Sequence, residues 1–263
     1  MLTPPPPKDR MAMALAMAIL ALGCAATARS QDKLDKLSPS QTAINFYKAL
    51  KEKRYLEGFR LSVYKDAVEG LSPEDLQQLE PDFVRTFSLI PDKIEPVSEH
   101  VDGNTATVSL KFGGGEPQTV ALLKVAGQWL VGDADGLRMV QSQGRAFFFN
   151  ARMAVNESET AQMISKMVGA ETIYARQKEG LCASLDDLIQ LGGVPKDWAG
   201  GSQSGYHTTL TVAADHKSFF ITAEPIAYGK TGKLSFYADA DNIRAQDLHG
   251  QPATVSSPIY QAK

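Results

Sequence analysis

The chain has 263 residues, of which 43% are hydrophobic and 22% are charged. These fractions are close to the globular average, which excludes a wholly disordered protein. With 27 Lys and Arg against 30 Asp and Glu, the formal charge is −3, so no basic footprint for a nucleic-acid partner is present. Two cysteines are too few for a disulfide-dense scaffold or a four-cysteine zinc site.

The first residues have the pattern of a secretory signal peptide. Lys8 and Arg10 precede an uncharged apolar run of 13 residues, 11–23. Because a membrane-spanning helix needs about 20 apolar residues, this run is too short to cross a bilayer, and its length is typical of a signal peptide. We therefore expect residues 1–23 to be removed on export and residues 24–37 to form a flexible linker.

Two cleavage sites fit this sequence. Residues 21–23 before Cys24 resemble the lipobox of bacterial lipoproteins. The resemblance implies cleavage before Cys24, a membrane anchor of lipid on that residue and, because Asp does not follow the cysteine, an outer-membrane location. The alternative is ordinary signal-peptidase cleavage after residue 28, where Ala26 and Ala28 give the small-x-small pattern. That product would be periplasmic.

Residues 38–143 predict an α+β domain in which three helices precede an antiparallel meander. Ser38 and Pro39 are typical of a helix N-cap and first helical position, and further helices are expected over 55–68 and from Pro73. The hydrophobic pattern then changes from helical spacing to alternation. The four expected strands are 94–101, 105–112, 119–125 and 129–131.

The first helix and the last hairpin of this domain resemble a known family. Residues 38–50 and the hairpin 123–131 are similar to the cystatin-like, nuclear-transport-factor-2-like domains of small bacterial lipoproteins. The resemblance implies helices packed on a curved sheet to form a cone, in which some family members bind ligands or catalyse reactions. The residues that would line such a cavity are Phe46, Tyr47, Phe59, Phe83 and Phe87. A ligand cavity measures about 300–1,000 Å³, whereas a cone filled by the four phenylalanines would count against one.

No catalytic constellation is apparent in the sequence, and we expect the protein not to be an enzyme. A general base inside the cone needs an inward-facing titratable side chain. His100 instead lies beside a turn, and Asp133 and Asp135 follow the last strand, where a turn or a helix cap is expected. Cys182 is expected to be a small core residue. No metal and no cofactor are expected either, because the histidines of the second half lack the spacing of metal ligands.

Residues 144–258 predict a second α+β domain, followed by a short tail at 259–263. Apolar periodicity predicts a long helix over 150–180 and a short helix over 185–191. The expected strands are 206–212, 218–223, 233–238 and 243–246. Residues 132–144 contain three glycines and are expected to act as a hinge between the two domains.

The second domain resembles the soluble head of type IV pilins and pseudopilins. The similarity begins with residues 150–161 in the long helix and continues in order to residues 243–253. A pilin begins with an apolar helix that spans the membrane, whereas only Phe147, Phe148 and Phe149 are strongly apolar in the corresponding segment. Because a spanning helix needs about 20 apolar residues, the resemblance implies a pilin-type head that cannot polymerise.

Together these patterns predict an exported, non-enzymatic protein of the bacterial envelope, anchored through a lipid at Cys24, that acts as a binding or scaffold module. Its expected partners are envelope proteins, including components of a pilus-like or secretion assembly. The alternative is a small-molecule binder or weak enzyme that uses the cone cavity of the first domain.

Overall fold

The computed structural model describes residues 37–261, which divide into two compact units between Phe148 and Phe149. Both units combine helices with an antiparallel sheet, so the predicted α+β class is confirmed. We call residues 37–148 the N-terminal unit and residues 149–261 the C-terminal unit. The predicted signal peptide and the lipidation site Cys24 lie outside the described residues.

The N-terminal unit opens with four helices. They are α1 (Pro39–Lys51), α2 (Tyr55–Arg60), α3 (Lys65–Glu69) and α4 (Pro73–Phe87). Two of them begin at serine caps that the sequence predicts. Ser38 Oγ accepts a hydrogen bond from the N–H of Gln41, and Ser72 Oγ accepts one from the N–H of Asp75. Each serine thus satisfies a backbone donor that the first turn of a helix leaves free.

The single helix predicted over 55–68 is wrong, because the chain there forms α2 and α3 with a turn between them. The N–H of Val63 donates to the carbonyl of Val131, and the N–H of Val131 donates to the carbonyl of Leu61. These bonds to the last strand of the sheet take the place of bonds that a continuous helix would make. A tertiary contact therefore decides the local structure at this point.

A four-stranded antiparallel meander follows α4, with strand order β1–β2–β3–β4. The strands are β1 (Ile94–Asp102), β2 (Thr105–Phe112), β3 (Pro117–Val125) and β4 (Gln128–Val131). All four lie where the alternation of the sequence predicts them. Helix α1 packs against β1, β2 and β4, and Val108 and Leu110 of β2 are fully buried.

The predicted glycine hinge at 132–144 is wrong, because Ala134–Gln143 form a helix, α5. Asp133 is its N-cap, with Oδ1 accepting a hydrogen bond from the N–H of Gly136 at 2.8 Å. Val140 on this helix is fully buried, and α5 contacts α3 of the N-terminal unit. A polar cap followed by one turn of small residues thus starts a helix rather than a flexible linker.

The division between the units falls inside the long helix α6 (Phe147–Gln177), later than the predicted boundary at 143/144. Phe147 and Phe148 pack within the N-terminal unit, since their ring centroids lie 5.4 Å from Tyr64 and 5.1 Å from Phe59, respectively. No helix in residues 37–261, α6 included, combines the length and the apolar character needed to cross a membrane.

Aromatic rings fill the interior of the N-terminal unit around Phe59. Its ring centroid lies 5.9 Å from that of Phe83, 6.3 Å from that of Phe87 and 5.1 Å from that of Phe148. Phe59 is only 1% exposed. Edge-to-face and tilted ring pairs are more favourable than their buried area alone predicts. We therefore expect Phe59 to be a major source of stability in this unit.

The C-terminal unit packs α6 against one face of a five-stranded antiparallel sheet. Along α6, Ile164, Met167 and Ala170 share a core with Tyr206 and Phe236 of the sheet. The remaining elements are α7 (Leu185–Gln190), β5 (Ser202–Gln203), β6 (Tyr206–Val212), β7 (Phe219–Pro225), β8 (Leu234–Ala238) and β9 (Ile243–Asp247), with strand order β5–β6–β7–β8–β9. The two-residue strand β5 is too short for a sequence pattern to predict it.

The predicted C-terminal tail is wrong for Ile259 and Tyr260. Ile259 pairs with Arg244 of β9, and the N–H of Tyr260 donates to the carbonyl of Ile243 at 2.8 Å. The ring of Tyr260 also packs on Phe236, with centroids 5.4 Å apart. This segment therefore covers the edge of β9, which is one way in which proteins protect an edge strand.

Phe59→Ala should lower the free energy of unfolding of the N-terminal unit by about 3–5 kcal/mol, the usual cost of removing a buried aromatic ring. Urea unfolding measures the loss, and hydrogen exchange of the β1–β4 amides assigns the transition to this unit. Leu89→Ala is the control, because Leu89 is 90% exposed and its truncation should cost less than about 0.5 kcal/mol. Equal losses in the two variants would contradict the central role of Phe59.

Candidate functional sites

Four of the side chains that the sequence assigns to a cone cavity are core residues. Phe46, Phe59, Phe83 and Phe87 are each at most 7% exposed. The ring centroid of Phe46 lies 6.4 Å from that of Phe59, which in turn contacts the other two. Because protein interiors are close-packed, rings in such contact fill the space between them. These residues therefore form a core rather than line a cavity.

The fifth predicted residue, Tyr47, lies half-buried at the margin of this core. Its ring meets those of Phe46 and Phe112 edge to face, with both centroids 4.9 Å away. Burial, with a smaller contribution from the nearby Tyr64, raises the pKa of Tyr47 to about 12. A phenol with that pKa stays neutral at pH 7, so Tyr47 is poorly suited to act as a general base.

A surface pocket of about 370 Å³ lies elsewhere in the N-terminal unit, between α1 and α2. We call it the α1–α2 pocket. Its lining residues are Asn45, Lys48, Ala49, Arg54, Glu57, Arg60 and Leu61. None of these residues was among the predicted cavity residues. The sequence did contain a signal, because the three lining residues from α1 have the i, i+3, i+4 spacing of one helix face.

Arg54 is held at the edge of this pocket by two glutamates. Its Nε and Nη2 donate to Glu52 Oε2 at 2.9 and 2.6 Å, and its Nη1 donates to Glu57 Oε2. The hydrogen bond from Arg54 lowers the pKa of Glu52 below its ordinary value. The charge of Arg54 is therefore largely balanced before any ligand arrives.

The titratable residues that the sequence analysis considered in the N-terminal unit do not come together. His100 lies exposed on β1, opposite Thr107 of β2. Asp133 caps α5, so the predicted cap is confirmed. Asp135 pairs with Arg138 on the exposed surface of the same helix. No pair of these groups is placed to share a proton with a common substrate.

A row of polar residues crosses the second sheet on the face opposite to α6. His207 of β6 lies opposite Glu224 of β7, and the pairing of Ala223 with Phe236 places Ser235 on the other side of Glu224. A serine-histidine-acid triad requires the histidine between the other two groups. Here the glutamate lies in the middle, and Ser235 is fully buried. The row therefore contains the residue types of a catalytic triad, but their order does not allow the histidine to activate the serine.

Glu171 of α6 is a fully buried carboxyl group. Its Oε2 accepts a hydrogen bond from the N–H of Ala183 at 3.0 Å, and its Oε1 has no hydrogen-bond partner in residues 37–261. Burial raises the pKa of Glu171 by more than the bond from Ala183 lowers it. This carboxyl fixes the loop before α7, at the cost of removing an ionisable group from water.

Cys182 lies next to this contact and is a buried free cysteine. Burial, followed by the nearby Glu171, raises the pKa of the Cys182 thiol. A thiol with a raised pKa is a poor nucleophile, because the thiolate is the reactive form. The prediction that Cys182 is a core residue is confirmed by its place in the hydrophobic core of the C-terminal unit.

Asp239 of the second unit stabilises a turn between β8 and β9. Asp239 Oδ1 accepts hydrogen bonds from the N–H groups of Asp241 and Asn242 at 3.0 and 2.9 Å, which is the arrangement of an Asx turn. Within the described part of the chain, no three His, Cys, Asp or Glu side chains are grouped as metal ligands.

The loop between β7 and β8, residues 226–233, presents an exposed cluster. Ile226 is 61% exposed and Tyr228 is 39% exposed. The ring of Tyr228 stacks on His249, with centroids 5.1 Å apart, and its hydroxyl donates to Asp247 Oδ1 at 3.0 Å. We call residues 226–233 the β7–β8 loop. Its apolar and aromatic side chains face solvent although the loop itself is well ordered by hydrogen bonds.

Side chains of helix α6 hold the β7–β8 loop through hydrogen bonds to backbone groups of the loop and of the residue after it. Asn156 Nδ2 donates to the carbonyl of Thr231 at 2.8 Å. Glu157 Oε1 accepts hydrogen bonds from the N–H groups of Lys233 and Leu234 at 2.8 and 3.2 Å. A carboxylate that accepts two backbone donors makes stronger bonds than a neutral acceptor would. The loop is therefore fixed to the helix at both its tip and its C-terminal end.

Comparison of the chain with protein-family models, curated proteins and solved structures finds no match. The two family resemblances described above therefore depend on the residue patterns alone.

Glu171→Gln should make the stability of the C-terminal unit less dependent on pH. Because the folded-state pKa of Glu171 is raised, the contribution of Glu171 to wild-type stability is greatest below its unfolded-state pKa of about 4.3 and falls as pH rises toward its folded-state pKa. Glutamine keeps an acceptor for Ala183 and carries no charge, so it should be more stable than the wild type at pH 8, by about 1 kcal/mol.

Urea unfolding at pH 4 and pH 8 measures this difference. Glu179→Gln is the matched control, since Glu179 is an exposed glutamate of the same unit and should leave the pH dependence as in the wild type. A Glu171→Gln variant that is less stable than the wild type at both pH values would show that the charged carboxylate is favourable in the fold.

Proposed function

We propose that this protein is an exported, non-enzymatic binding or scaffold module of the bacterial envelope, anchored by a lipid at Cys24. Its partners are envelope proteins, in particular components of a pilus-like or secretion assembly. The observation that carries the proposal is the β7–β8 loop, which is exposed, aromatic and fixed by hydrogen bonds. The signal-peptide pattern and the resemblance of the C-terminal unit to pilin heads support the location and the class of partner.

The fixed conformation of the β7–β8 loop favours binding. A mobile loop loses conformational entropy when it meets a partner, at a cost of about 0.5–1.5 kcal/mol for each immobilised flexible side chain. Here Asn156 and Glu157 hold the backbone, and Asp247 and His249 hold the side chain of Tyr228. Much of this ordering cost is therefore met during folding rather than on association.

The chemistry of the loop suits a protein partner. Tyrosine is enriched in protein interfaces, where its ring is buried and its hydroxyl keeps a polar partner. Tyr228 has that hydroxyl partner in Asp247, and Ile226 adds apolar surface beside it in the chain. A partner that covers both side chains gains hydrophobic burial without leaving the phenol unpaired.

The alternative, a ligand or substrate in the cone interior of the N-terminal unit, has less support. Phe46, Phe59, Phe83 and Phe87 occupy that interior, and a ligand would have to displace packed rings. The scaffold proposal requires no such rearrangement, because the surface that it uses is already exposed.

A photo-reactive phenylalanine analogue in place of Tyr228 should cross-link to identified pilus, secretion or other envelope components in cells of the native host. The matched control is the same analogue in place of Phe220, an aromatic residue of the same unit with nearly the same exposure, 38% against 39%. Mass spectrometry of captured adducts provides the measurement. Identical adducts at both positions, or adducts with this chain alone, would overturn the proposed role of the loop.

Lipidation at Cys24 is tested separately by metabolic labelling with an alkyne fatty acid. The wild type should carry the label, and Cys24→Ser should lose it and leave the membrane fraction. Cys182→Ser is the control, because its thiol is buried and its replacement should leave the label unchanged. An unlabelled wild-type protein whose mature chain begins at residue 29 would show that ordinary signal-peptidase cleavage occurs instead.

A further inference from the structure

We propose that the α1–α2 pocket of the N-terminal unit binds a phosphate group, carried either by a soluble phosphomonoester or by a lipid headgroup. The pocket lies between two helices and is lined by cationic and amide side chains. This proposal does not depend on the β7–β8 loop or on the scaffold function, and either can fail without the other.

The pocket exists because α1 and α2 approach closely on one side. A β-carbon at Gly58 would lie only 2.5 Å from Leu50 Cδ2 and 3.5 Å from Ala49 Cβ, so this contact requires glycine. The N–H of Arg54 donates to the carbonyl of Ala49 at 2.8 Å, which closes the turn between the helices. Buried Ala49 and Leu61 contribute an apolar base, while the other lining residues are exposed and polar.

The residues that line the pocket carry more positive than negative charge. Lys48, Arg54 and Arg60 carry three positive charges, and Glu57 carries the only negative charge among the lining residues. Arg54 is paired with both Glu57 and Glu52, and Arg60 is paired with Glu69, which lies outside the lining. Within residues 37–261, the charge of Lys48 is therefore the one in the lining that no ion pair offsets. This cationic lining lies on a chain whose formal net charge is −3, so it is a local feature and does not follow from composition.

Lys48 and Arg60 have hydrogen-bond donors that no other described residue uses. Lys48 forms no ion pair with any residue in the described part of the chain. Arg60 uses Nε to bind Glu69 Oε1 at 3.1 Å, which leaves its two Nη groups for a ligand. A guanidinium presents donors in a planar fork that matches two phosphate oxygens, and an ammonium adds a point charge. Asn45 supplies an amide donor beside them.

The size of the pocket favours a small anion. Its volume of about 370 Å³ is near the lower end of the usual range for small-molecule pockets, about 300–1,000 Å³. The lining side chains are also well exposed, with half of the Arg60 side chain accessible to solvent. Binding in such an open site should be weak, with a dissociation constant on the order of 1 mM.

Titration of the full chain with inorganic phosphate, at constant ionic strength in KCl and followed by NMR, tests the proposal. Saturable shifts should be confined to residues 45–61 and to the Arg60 Nε–H. Lys48→Gln combined with Arg60→Gln should weaken binding by about tenfold or more, because the variant loses the charge-assisted hydrogen bonds from both side chains. Glu57→Gln should tighten binding severalfold, because it releases Arg54 Nη1 and removes the one negative charge among the lining residues.

The matched control is Lys93→Gln combined with Arg138→Gln, which removes two exposed cations of the same unit outside the pocket. It should bind phosphate as the wild type does. Equal weakening in the pocket and control variants would show that only the net charge matters and would overturn the proposal. Shifts that do not saturate, or that spread over surface lysines and arginines generally, would overturn it as well.

Two further probes identify the source of the phosphate. Glycerol phosphate represents a soluble phosphomonoester, and dihexanoyl phosphatidic acid represents the same group on a short-chain lipid. Tighter binding of the lipid, lost in the Lys48→Gln, Arg60→Gln variant, would assign the pocket to a headgroup. Equal binding of the two probes would assign it to soluble phosphomonoesters, and failure of both to bind would contradict a phosphate site.

Discussion

The pairing of backbone polar groups outside helices and strands is the constraint on which both units depend. A buried N–H or C=O without a partner costs about 1–3 kcal/mol, so irregular segments must bond to a neighbouring element. In the N-terminal unit, Val131 bonds the turn at Leu61 and Val63. In the C-terminal unit, Glu157 accepts the N–H groups at the end of the β7–β8 loop. Both segments lead directly to an exposed surface with a candidate function.

Polar side chains of helix α6 provide hydrogen-bond partners for backbone groups of neighbouring segments. Asn156, Glu157 and Glu171 each reach a different segment, and each bonds a backbone group there. Such bonds fix the position of a loop without requiring it to join the sheet. The shape of the exposed surface is therefore set by residues that are themselves partly or fully buried. Substitutions at these helix positions would alter the surface although the substituted side chains are not part of it.

The sequence predicts the regular elements of this protein well, because their patterns are local. Ser38 with Pro39, and Ser72, start helices through contacts within one turn, and the strands alternate as their pairing requires. The structural features that the sequence does not predict depend on contacts between residues that are far apart in the chain. The break after α2 requires Val131, which is far away in sequence, and the C-terminal segment is ordered by β9. No periodicity within a short window contains either contact.

The candidate sites were harder to predict than the fold for a related reason. The phenylalanines of the first domain could fill or line a cone, and the choice depends on how closely the helices approach. The lining of the α1–α2 pocket has helical spacing in each helix, but the two faces meet only because Gly58 permits close contact with Leu50. The exposure of Tyr228 likewise follows from bonds between α6 and a loop that the sequence places far from it.

The two units also differ in how they treat polar groups in their interiors. Around Phe59 the N-terminal unit contains packed rings, whose interaction does not depend on protonation. The C-terminal unit buries Glu171 fully and Glu224 partly, and this burial raises the pKa of both carboxyls. Because such groups are most favourable in the fold when protonated, the contribution of these two carboxyls to the stability of the C-terminal unit rises in mild acid, whereas the packing of the aromatic rings does not depend on pH. A change in pH therefore affects the carboxyls that support the C-terminal surface more than the aromatic core that supports the N-terminal surface.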